Sequence, residues 1–183
     1  MSYILINDEV IEEAKLPNVF NRAFLYGDGF FETIRVYDEM PLWLDKHEAR
    51  IDASLAKLKM KKSPLLLKRQ FSKLIWELIE KNKLSNGRLR VNIFRDAKGF
   101  YMPQSNDTSI IATVEQLDLP LYHLNLDGLY IDVSDEVELH QGSLASIKTN
   151  ARLNQVMASL EAKERSLDEL LLKYLGIYFY KTL

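Results

Sequence analysis

The sequence predicts an α+β protein with two domains, and three observations support this. Segments with strand-like alternation of polar and apolar residues occur throughout the chain. Two segments with the apolar spacing of a helix, at 45–59 and 64–83, interrupt them. A polar stretch at 115–125, which includes Pro120, resembles a linker. We therefore expect an N-terminal α+β domain at 1–117 and a second domain at 118–183.

The strands are predicted from runs of β-branched, aromatic and alternating residues between turn signals. The first two form a hairpin around Asn7 and Asp8, because both residue types tolerate the left-handed turn conformation. Asp28 lies between two glycines, so the backbone there can turn sharply before the third strand. The predicted strands cover residues 3–6, 9–11, 30–36, 41–44, 88–94, 109–114, 129–133 and 166–172.

The first two helices are predicted from apolar spacing together with capping signals. Asp45 can be the N-cap of the helix at 45–59, with Glu48 as its reciprocal partner three residues later. Pro64 suits the first turn of the helix at 64–83. Both helices should cover the sheet with their apolar faces.

A third helix is predicted after Lys148. Thr149 or Asn150 can cap it, because each carries a side-chain oxygen for an unpaired backbone N–H. One apolar face, expected to be buried, is formed by Leu153, Val156, Met157 and Leu160. Lys148 would then lie just outside a helix N-terminus, where the helix dipole disfavours its charged form. Such an amine suits Schiff-base chemistry. For a lysine considered alone, however, a solvated position on a helix-entry loop is by far the commoner case.

The bulk composition excludes several functional classes. The chain of 183 residues has a formal net charge of −2, which gives no reason to expect nucleic acid or an anionic membrane as a partner. It contains no cysteine, so disulfides, thiolate nucleophiles and thiolate metal sites are excluded. No segment has the features of a secretion signal or a membrane span, so we expect a cytoplasmic protein.

Four motifs occur in a specific order along the chain. They are Tyr26-Gly27-Asp28-Gly29-Phe30-Phe31-Glu32-Thr33-Ile34-Arg35, His47-Glu48-Ala49-Arg50, Ile147-Lys148-Thr149-Asn150 and Asp168-Glu169-Leu170-Leu171-Leu172. As an ordered set they resemble the class IV aminotransferases, the fold-type IV pyridoxal-phosphate enzymes. That family includes branched-chain aminotransferases, D-amino acid aminotransferases and aminodeoxychorismate lyase. The resemblance implies the two-domain fold-type IV architecture, pyridoxal 5′-phosphate as cofactor, a small amino acid or 2-oxo acid as substrate, and a homodimer.

The resemblance also implies roles for individual residues. Lys148 matches the lysine that binds pyridoxal phosphate covalently and then moves the α-proton of the substrate. Arg50 matches the arginine that binds the phosphate of the cofactor, and a guanidinium suits that role because its N–H fork matches phosphate oxygens. The implied substrate-binding residues are Phe31, Thr33, Arg35 and Arg95.

Purely structural interpretations compete with these roles. Arg50 could form a surface ion pair with Glu48 or Asp45, and Arg35 could pair with Glu32 or Asp38. A zinc motif of the H-E-x-x-H type begins at His47, but position 51 is isoleucine, so we expect no metal.

The sequence departs from the family pattern near its end. The family pattern continues with a glutamate that pairs with the pyridine nitrogen, whereas no acidic residue follows Glu169 here. We therefore expect an incomplete second domain, apparently truncated at its C-terminus, and weak cofactor binding.

Several functions remain open at this point. The first is transfer of an amino group between an amino acid and a 2-oxo acid. The second is aminodeoxychorismate lyase activity, which the stretch from Asn150 to Leu153 favours slightly. The third is a truncated, inactive product that does not retain pyridoxal phosphate. An interaction module unrelated to the family would require the order of the motifs to be chance.

Overall fold

The structure is a computed structural model, and it describes residues 3–12, 21–118, 125–139, 142–174 and 178–181. These residues form two compact units. The first contains the described residues up to 118 together with 147–150, and the second contains 125–139, 142–146 and the described residues from 151 onward. The predicted domains, 1–117 and 118–183, did not anticipate that the segment carrying Lys148 returns to the first unit.

Helices are interspersed among pairs and runs of strands along the chain. In chain order they are β1 Tyr3–Ile6, β2 Glu9–Glu12, α1 Arg22–Tyr26, β3 Gly29–Tyr37, β4 Met40–Pro41, α2 Leu44–Lys57, α3 Lys68–Asn82, β5 Asn86–Arg95, β6 Thr108–Gln116, β7 Ile131–Leu139, α4 Leu153–Glu164, β8 Glu169–Tyr174 and β9 Tyr178–Lys181. The short helix α1 was not predicted, and Gly27 ends it in the left-handed conformation with φ 64°.

The first unit contains a six-stranded sheet in the order β2-β1-β6-β5-β3-β4, and all its pairs are antiparallel. Alternate residues of β3, β5 and β6 join α2 and α3 in one apolar core. The opposite face carries the polar residues of the same strands. Because β6 continues to Gln116, the expected linker begins later than predicted, and Pro120 lies outside the described residues.

Helix α3 packs on this sheet through the apolar residues that the sequence indicated. Its buried residues are Phe71, Leu74, Ile75, Leu78 and Ile79. The predicted start at Pro64 was wrong, because residues 64–66 form a separate 3₁₀ turn. Leu67 is extended, with ψ 137°, and α3 begins after it.

Helix α2 begins one residue earlier than predicted and with different capping. Its N-cap residue is Trp43, which has a left-handed backbone with φ 51° and no side-chain capping bond. The predicted N-cap, Asp45, lies instead in the first turn, where its charge still suits the helix dipole. Glu48 accepts a hydrogen bond from Ser72 Oγ at 3.2 Å, so it links α2 to α3.

The second unit contains the sheet β7-β8-β9, in which β7 and β8 are parallel and β8 and β9 are antiparallel. Strand β7 continues to Leu139, six residues beyond the end of the strand predicted at 129–133. An irregularity between Val133 and Glu138 shifts the register of β7 against β8. Because a bulge interrupts the alternation of polar and apolar residues, the predicted strand ended before the observed one does.

Helix α4 corrects two predictions. Its N-cap residue is Arg152, without a side-chain capping bond, so neither Thr149 nor Asn150 caps it. The apolar residues that were expected to be buried are exposed: Leu153, Val156, Met157 and Leu160. The buried residues are Ala158, Glu161 and Ala162. Among the described residues, no helix has both the length and the apolar composition needed to cross a membrane.

Candidate active site

Lys148 is held beside the first residues of β3 by backbone hydrogen bonds. Phe31 N donates to Lys148 O at 3.0 Å, and Asn150 N donates to Gly29 O at 3.0 Å. An isolated antiparallel bridge between residues 30 and 149 completes this pairing. The backbone of the lysine is therefore fixed on both sides while its side chain is exposed.

The close approach of this segment depends on Gly29. A Cβ atom at this position would lie 2.7 Å from Ile93 O and 2.8 Å from Asn150 Nδ2, both shorter than any ordinary contact. Glycine is therefore required for packing at this position, because its backbone conformation is an ordinary extended one.

The amine of Lys148 lies over the ring of Phe31, with Nζ 4.9 Å from the ring centroid. The guanidinium carbon of Arg90 lies 3.7 Å from the same centroid. Both are within the range in which a cation is attracted to an aromatic face. Phe31 thus places two cations near each other on the polar face of the sheet.

Arg50 on α2 is hydrogen-bonded to Glu32 on β3. Its Nε and Nη2 donate to the two carboxylate oxygens of Glu32, at 3.0 and 2.6 Å. His47 Nδ1 lies 2.7 Å from Glu32 Oε2, so this nitrogen carries a proton and donates to the carboxylate. The arginine therefore pairs with Glu32 and not with Glu48, the surface partner that the sequence offered.

Hydrogen bonds among Glu32, His47 and Arg50 stabilise the charged forms of Glu32 and Arg50. Burial opposes ionisation of Glu32, but the hydrogen bonds from His47 and Arg50 outweigh it and hold the pKa of Glu32 below its ordinary value. The hydrogen bonds to Glu32 raise the pKa of Arg50, with burial acting in the opposite direction. Glu32 therefore stays an anion and keeps the guanidinium oriented.

Arg50 and Lys148 both contact the beginning of β3, and the residues they contact are consecutive. Arg50 is bonded to Glu32, and Lys148 lies over Phe31. Neighbouring residues of a strand project to opposite faces, so the two side chains approach β3 from its two sides. The structure places the two side chains beside consecutive residues of β3 on opposite faces of the strand, so a site shared by Arg50 and Lys148 stays a prediction.

The guanidinium of Arg95 is hydrogen-bonded to other residues of the first unit. Its Nε lies 3.1 Å from Asp28 Oδ2, and its Nη2 donates to Leu58 O at 2.9 Å. Its Nη1 reaches Lys59 O and the side chain of Asn106. Because the side chain is only 10% exposed, this arginine ties the end of β5 to neighbouring loops, and its predicted substrate contact remains a prediction without support from this geometry.

Thr33 and Arg35 lie on the polar face of β3, as their alternation with Ile34 predicted. Across the strand pair, Thr33 is opposite Arg90 and Arg35 is opposite Arg88. Both predicted substrate-wall residues therefore face a row of arginines on β5.

Three residues near Lys148 and Arg50 were absent from the predicted site. Arg90 lay on the predicted polar face of its strand, but its closeness to Phe31 depends on the pairing of β3 with β5. Glu32 and His47 were within the quoted motifs. Glu32 was predicted on a strand and His47 on a helix, and nothing in the sequence around either residue indicated that the two side chains would contact each other.

The side chains at this end of β3 fit the cofactor that the sequence resemblance implies. Lys148 supplies an exposed amine, and Nη1 of Arg50 donates to none of the described residues, so a phosphate oxygen can accept from it. Asn150 Oδ1 is a buried acceptor without a hydrogen-bond partner in the described part of the chain. An exposed amine, one guanidinium nitrogen that is not bonded to Glu32 and an aromatic ring suit a phosphorylated aromatic aldehyde.

The family model for amino-transferase class IV matches residues 29–174, which is most of the chain. Among curated proteins, aminodeoxychorismate lyase of Bacillus subtilis (strain 168) is 27% identical over 163 residues, covering 86% of this chain and 54% of the lyase. The chain thus spans about half the length of that relative.

Solved structures of two kinds of enzyme show the same fold. The branched-chain amino acid aminotransferase of Escherichia coli has a TM-score of 0.81 and 21% identity, covering 99% of this chain and 62% of that one. The 4-amino-4-deoxychorismate lyase from Pseudomonas aeruginosa has a TM-score of 0.77 and 21% identity, covering 98% of this chain and 64% of that one. The predicted fold-type IV architecture is therefore confirmed.

Proposed function

Because the chain belongs to the amino-transferase class IV family, we propose that it uses pyridoxal 5′-phosphate to move an amino group between an amino acid and a 2-oxo acid. The observation that carries this proposal is the fixed position of Lys148, whose amine lies over Phe31 near the end of β3. A branched-chain amino acid aminotransferase of the same fold, with a TM-score of 0.85, was solved with pyridoxamine 5′-phosphate, which supports the choice of cofactor. The chain spans 54% of the curated relative, so the activity of the whole protein is part of the proposal.

Each side chain has a distinct task in this reaction. The cofactor, when bound, withdraws electrons from the carbon that loses its proton. Lys148 Nζ would accept the proton from that carbon and later return it at a different position of the reacting molecule. The backbone hydrogen bonds of residues 148–150 to β3 keep the amine in place. Arg50 would bind the phosphate through Nη1, because Glu32, itself bonded to His47, fixes the orientation of the Arg50 guanidinium.

The experiment that tests this proposal follows amino transfer directly. The purified full chain is loaded with pyridoxal phosphate, and formation of 2-oxo acid is measured for a panel of amino donors. We expect slow but measurable turnover that Lys148→Ala abolishes. An exposed lysine elsewhere, Lys81, supplies the matched control Lys81→Ala, which should retain turnover. Equal turnover in wild type and Lys148→Ala would contradict the proposal.

Aminodeoxychorismate lyase activity is the second candidate, because the curated relative at 27% identity is such a lyase. Both reactions require the same lysine, so the residue alone does not separate them. Supplying aminodeoxychorismate and measuring release of the aromatic amine distinguishes the two. Release of that amine without consumption of a 2-oxo acid would favour the lyase.

We also infer a homodimer. An exposed apolar loop supports this inference, since Phe100, Tyr101 and Met102 are each more than 80% exposed. The ring of Tyr101 lies 5.8 Å from that of Tyr26, so the patch extends onto α1. Light scattering should give twice the chain mass for wild type and a smaller mass for a variant with Phe100 and Met102 changed to serine. A monomeric wild type would remove the inference.

A further inference from the structure

A cavity of about 510 Å³ lies beside the turn that follows β3 in the first unit. It is lined by side chains of that turn and of the end of α3: Glu39, Trp76, Ile79, Glu80 and Lys83. Phe31, which contacts the amine of Lys148, lies near the other end of β3. A strand rises about 3.3 Å per residue, so roughly 20 Å of extended chain separates Phe31 from the cavity. The cavity is therefore distinct from the candidate active site, and its volume is in the range of sites for small molecules.

Backbone hydrogen bonds fix both walls of the cavity. Glu39 has a left-handed backbone with φ 61°, and its N–H donates to Ser85 O at 2.9 Å. Lys83 ends α3 in the same conformation, with φ 51°, and its N–H donates to Glu80 O at 3.0 Å. These bonds hold the turn and the helix end in place, so the shape of the cavity does not depend on a ligand.

The charges of the lining favour a cation. Glu39 and Glu80 contribute two carboxylates, and in the described part of the chain neither has a cationic side chain within ion-pair distance. By contrast, Glu77 on the same helix pairs with Lys81 at 2.9 Å. Lys83 contributes one positive charge, so one negative charge in the lining remains uncompensated. The C-terminal end of α3 adds the negative end of the helix dipole.

The indole of Trp76 gives the cavity an aromatic surface. This side chain is 39% exposed, whereas the other large apolar residues of α3 are buried. Tryptophan is the residue whose aromatic face attracts cations most strongly. An indole and two carboxylates in one cavity therefore suit a cation that has a flat, weakly hydrated face.

We propose that this cavity binds a small organic cation that carries a guanidinium group. A guanidinium is planar and weakly hydrated, so it stacks on an aromatic face while its N–H groups donate to carboxylates. An ammonium has no flat face and is more strongly hydrated. The proposal does not depend on the proposed function, because none of the lining residues has a role in amino transfer.

The first experiment measures binding to the full chain by titration calorimetry. The probe is ethylguanidinium. The comparisons are ethylurea, which has nearly the same shape without the charge, and ethylammonium, which has the charge without the planar group. We expect ethylguanidinium to bind more tightly than ethylammonium, and roughly tenfold more tightly than ethylurea, because charge-assisted hydrogen bonds are the stronger ones. Circular dichroism at each probe concentration checks that the chain stays folded.

Variants of the lining residues test where the probe binds. Glu39→Gln combined with Glu80→Gln should weaken ethylguanidinium binding roughly tenfold, because both carboxylates are lost. Trp76→Leu should weaken binding about threefold, because the aromatic face is lost. Lys83→Gln should strengthen binding, because it removes a charge of the same sign as the probe. The matched control is Glu77→Gln on the same helix, which should bind the probe as wild type does.

Tryptophan fluorescence gives a second readout of the same binding event. The chain contains two tryptophans, so Trp43→Phe leaves Trp76 as the only one. Ethylguanidinium should change the emission of this variant with the affinity that calorimetry gives. Ethylurea at the same concentrations should leave the emission unchanged.

Several outcomes would overturn the proposal. Equal affinity for ethylguanidinium and ethylurea would show that the charge is not recognised. Unchanged binding in the folded double variant, or in folded Trp76→Leu, would place the probe elsewhere on the chain. Tighter binding of a tripeptide with a central arginine than of ethylguanidinium would assign the cavity to a polypeptide partner and not to a small molecule.

Discussion

Helices α3 and α4 are similar in length but pack against their sheets in different ways. Helix α3 buries five large apolar side chains in the first unit. Helix α4 buries two alanines and one glutamate in the second unit, while Leu153 is 70% exposed and Leu160 is 49% exposed. The first packing depends on the hydrophobic effect, whereas the second combines a small apolar cluster around Ala158 with polar contacts.

Glu161 is the centre of the polar packing in the second unit. Its carboxylate accepts hydrogen bonds from Ser134 Oγ at 2.5 Å and from Asp135 N at 2.9 Å. Arg165 Nη1 lies 2.9 Å from the same carboxylate and also donates to Val133 O at 3.0 Å. These bonds fasten α4 to the bulge of β7, so apolar spacing was a poor guide to the buried face of α4.

The largest expected effect is a cavity in the apolar core. Leu78 on α3 is fully buried, so Leu78→Ala should lower the free energy of unfolding of the first unit by about 2–5 kcal/mol. On α4, the matched change Leu160→Ala should cost less than about 1 kcal/mol, because this side chain is half exposed. Urea unfolding of both variants measures the difference. Equal losses would remove the contrast between the two helices.

A smaller loss is expected from the polar centre of the second unit. Glu161→Gln retains the shape of the side chain but removes its charge, so the bonds to Ser134, Asp135 and Arg165 weaken. We expect a loss of about 1.5–3 kcal/mol, confined to the second unit. Hydrogen exchange should show faster exchange in β7 and β8 with α3 unchanged. Uniform acceleration in both units would contradict this assignment.

A change at Gly29 tests whether Lys148 depends on the first unit. Gly29→Ala places a methyl group against Ile93 O and Asn150 Nδ2, which should cost about 1–3 kcal/mol. The segment at 148–150 should then separate from β3, and cofactor binding should fall although the substitution removes no side chain that would bind the cofactor. Absorption titration with pyridoxal phosphate measures this. Gly142→Ala, where a Cβ meets open space, is the matched control.

The smallest effect is a pH dependence that differs between the units. Burial opposes ionisation of Glu161, but the hydrogen bonds from Ser134 and Asp135 lower its pKa to about 2, below the ordinary 4.5. A lowered pKa stabilises the fold fully above pH 4.5, and this stabilisation is lost as the pH falls towards 2. Protection of β7 amides should therefore decrease over that range in wild type and change less in Glu161→Gln. Identical pH profiles would contradict the pKa shift.

The contrast also shows which features the sequence could predict. The apolar face of α3 and the alternation of Phe31, Thr33 and Arg35 were predicted because each is a local, periodic pattern. The start of α4 and the bulge in β7 were not predicted, because they follow from contacts between distant segments.

The same distinction applies to the candidate site. The motifs indicated Lys148 and Arg50 by their order along the chain, but the partners of these residues come from other elements. The bonds of Arg50 to Glu32 and the position of Arg90 over Phe31 depend on strand register and helix packing. Arg95 was predicted to bind substrate because of its position after a strand. That position did not reveal that its guanidinium is hydrogen-bonded to other residues of the protein.

We propose that Lys148 is the lysine that binds the cofactor beside β3. The most direct measurement is borohydride reduction of the full chain after incubation with pyridoxal phosphate, followed by mass spectrometry of its peptides. We predict that the pyridoxyl mass is found on the peptide that contains Lys148 and is lost in Lys148→Ala. A label spread equally over exposed lysines such as Lys81, with Lys148 no more modified than the rest, would contradict the account.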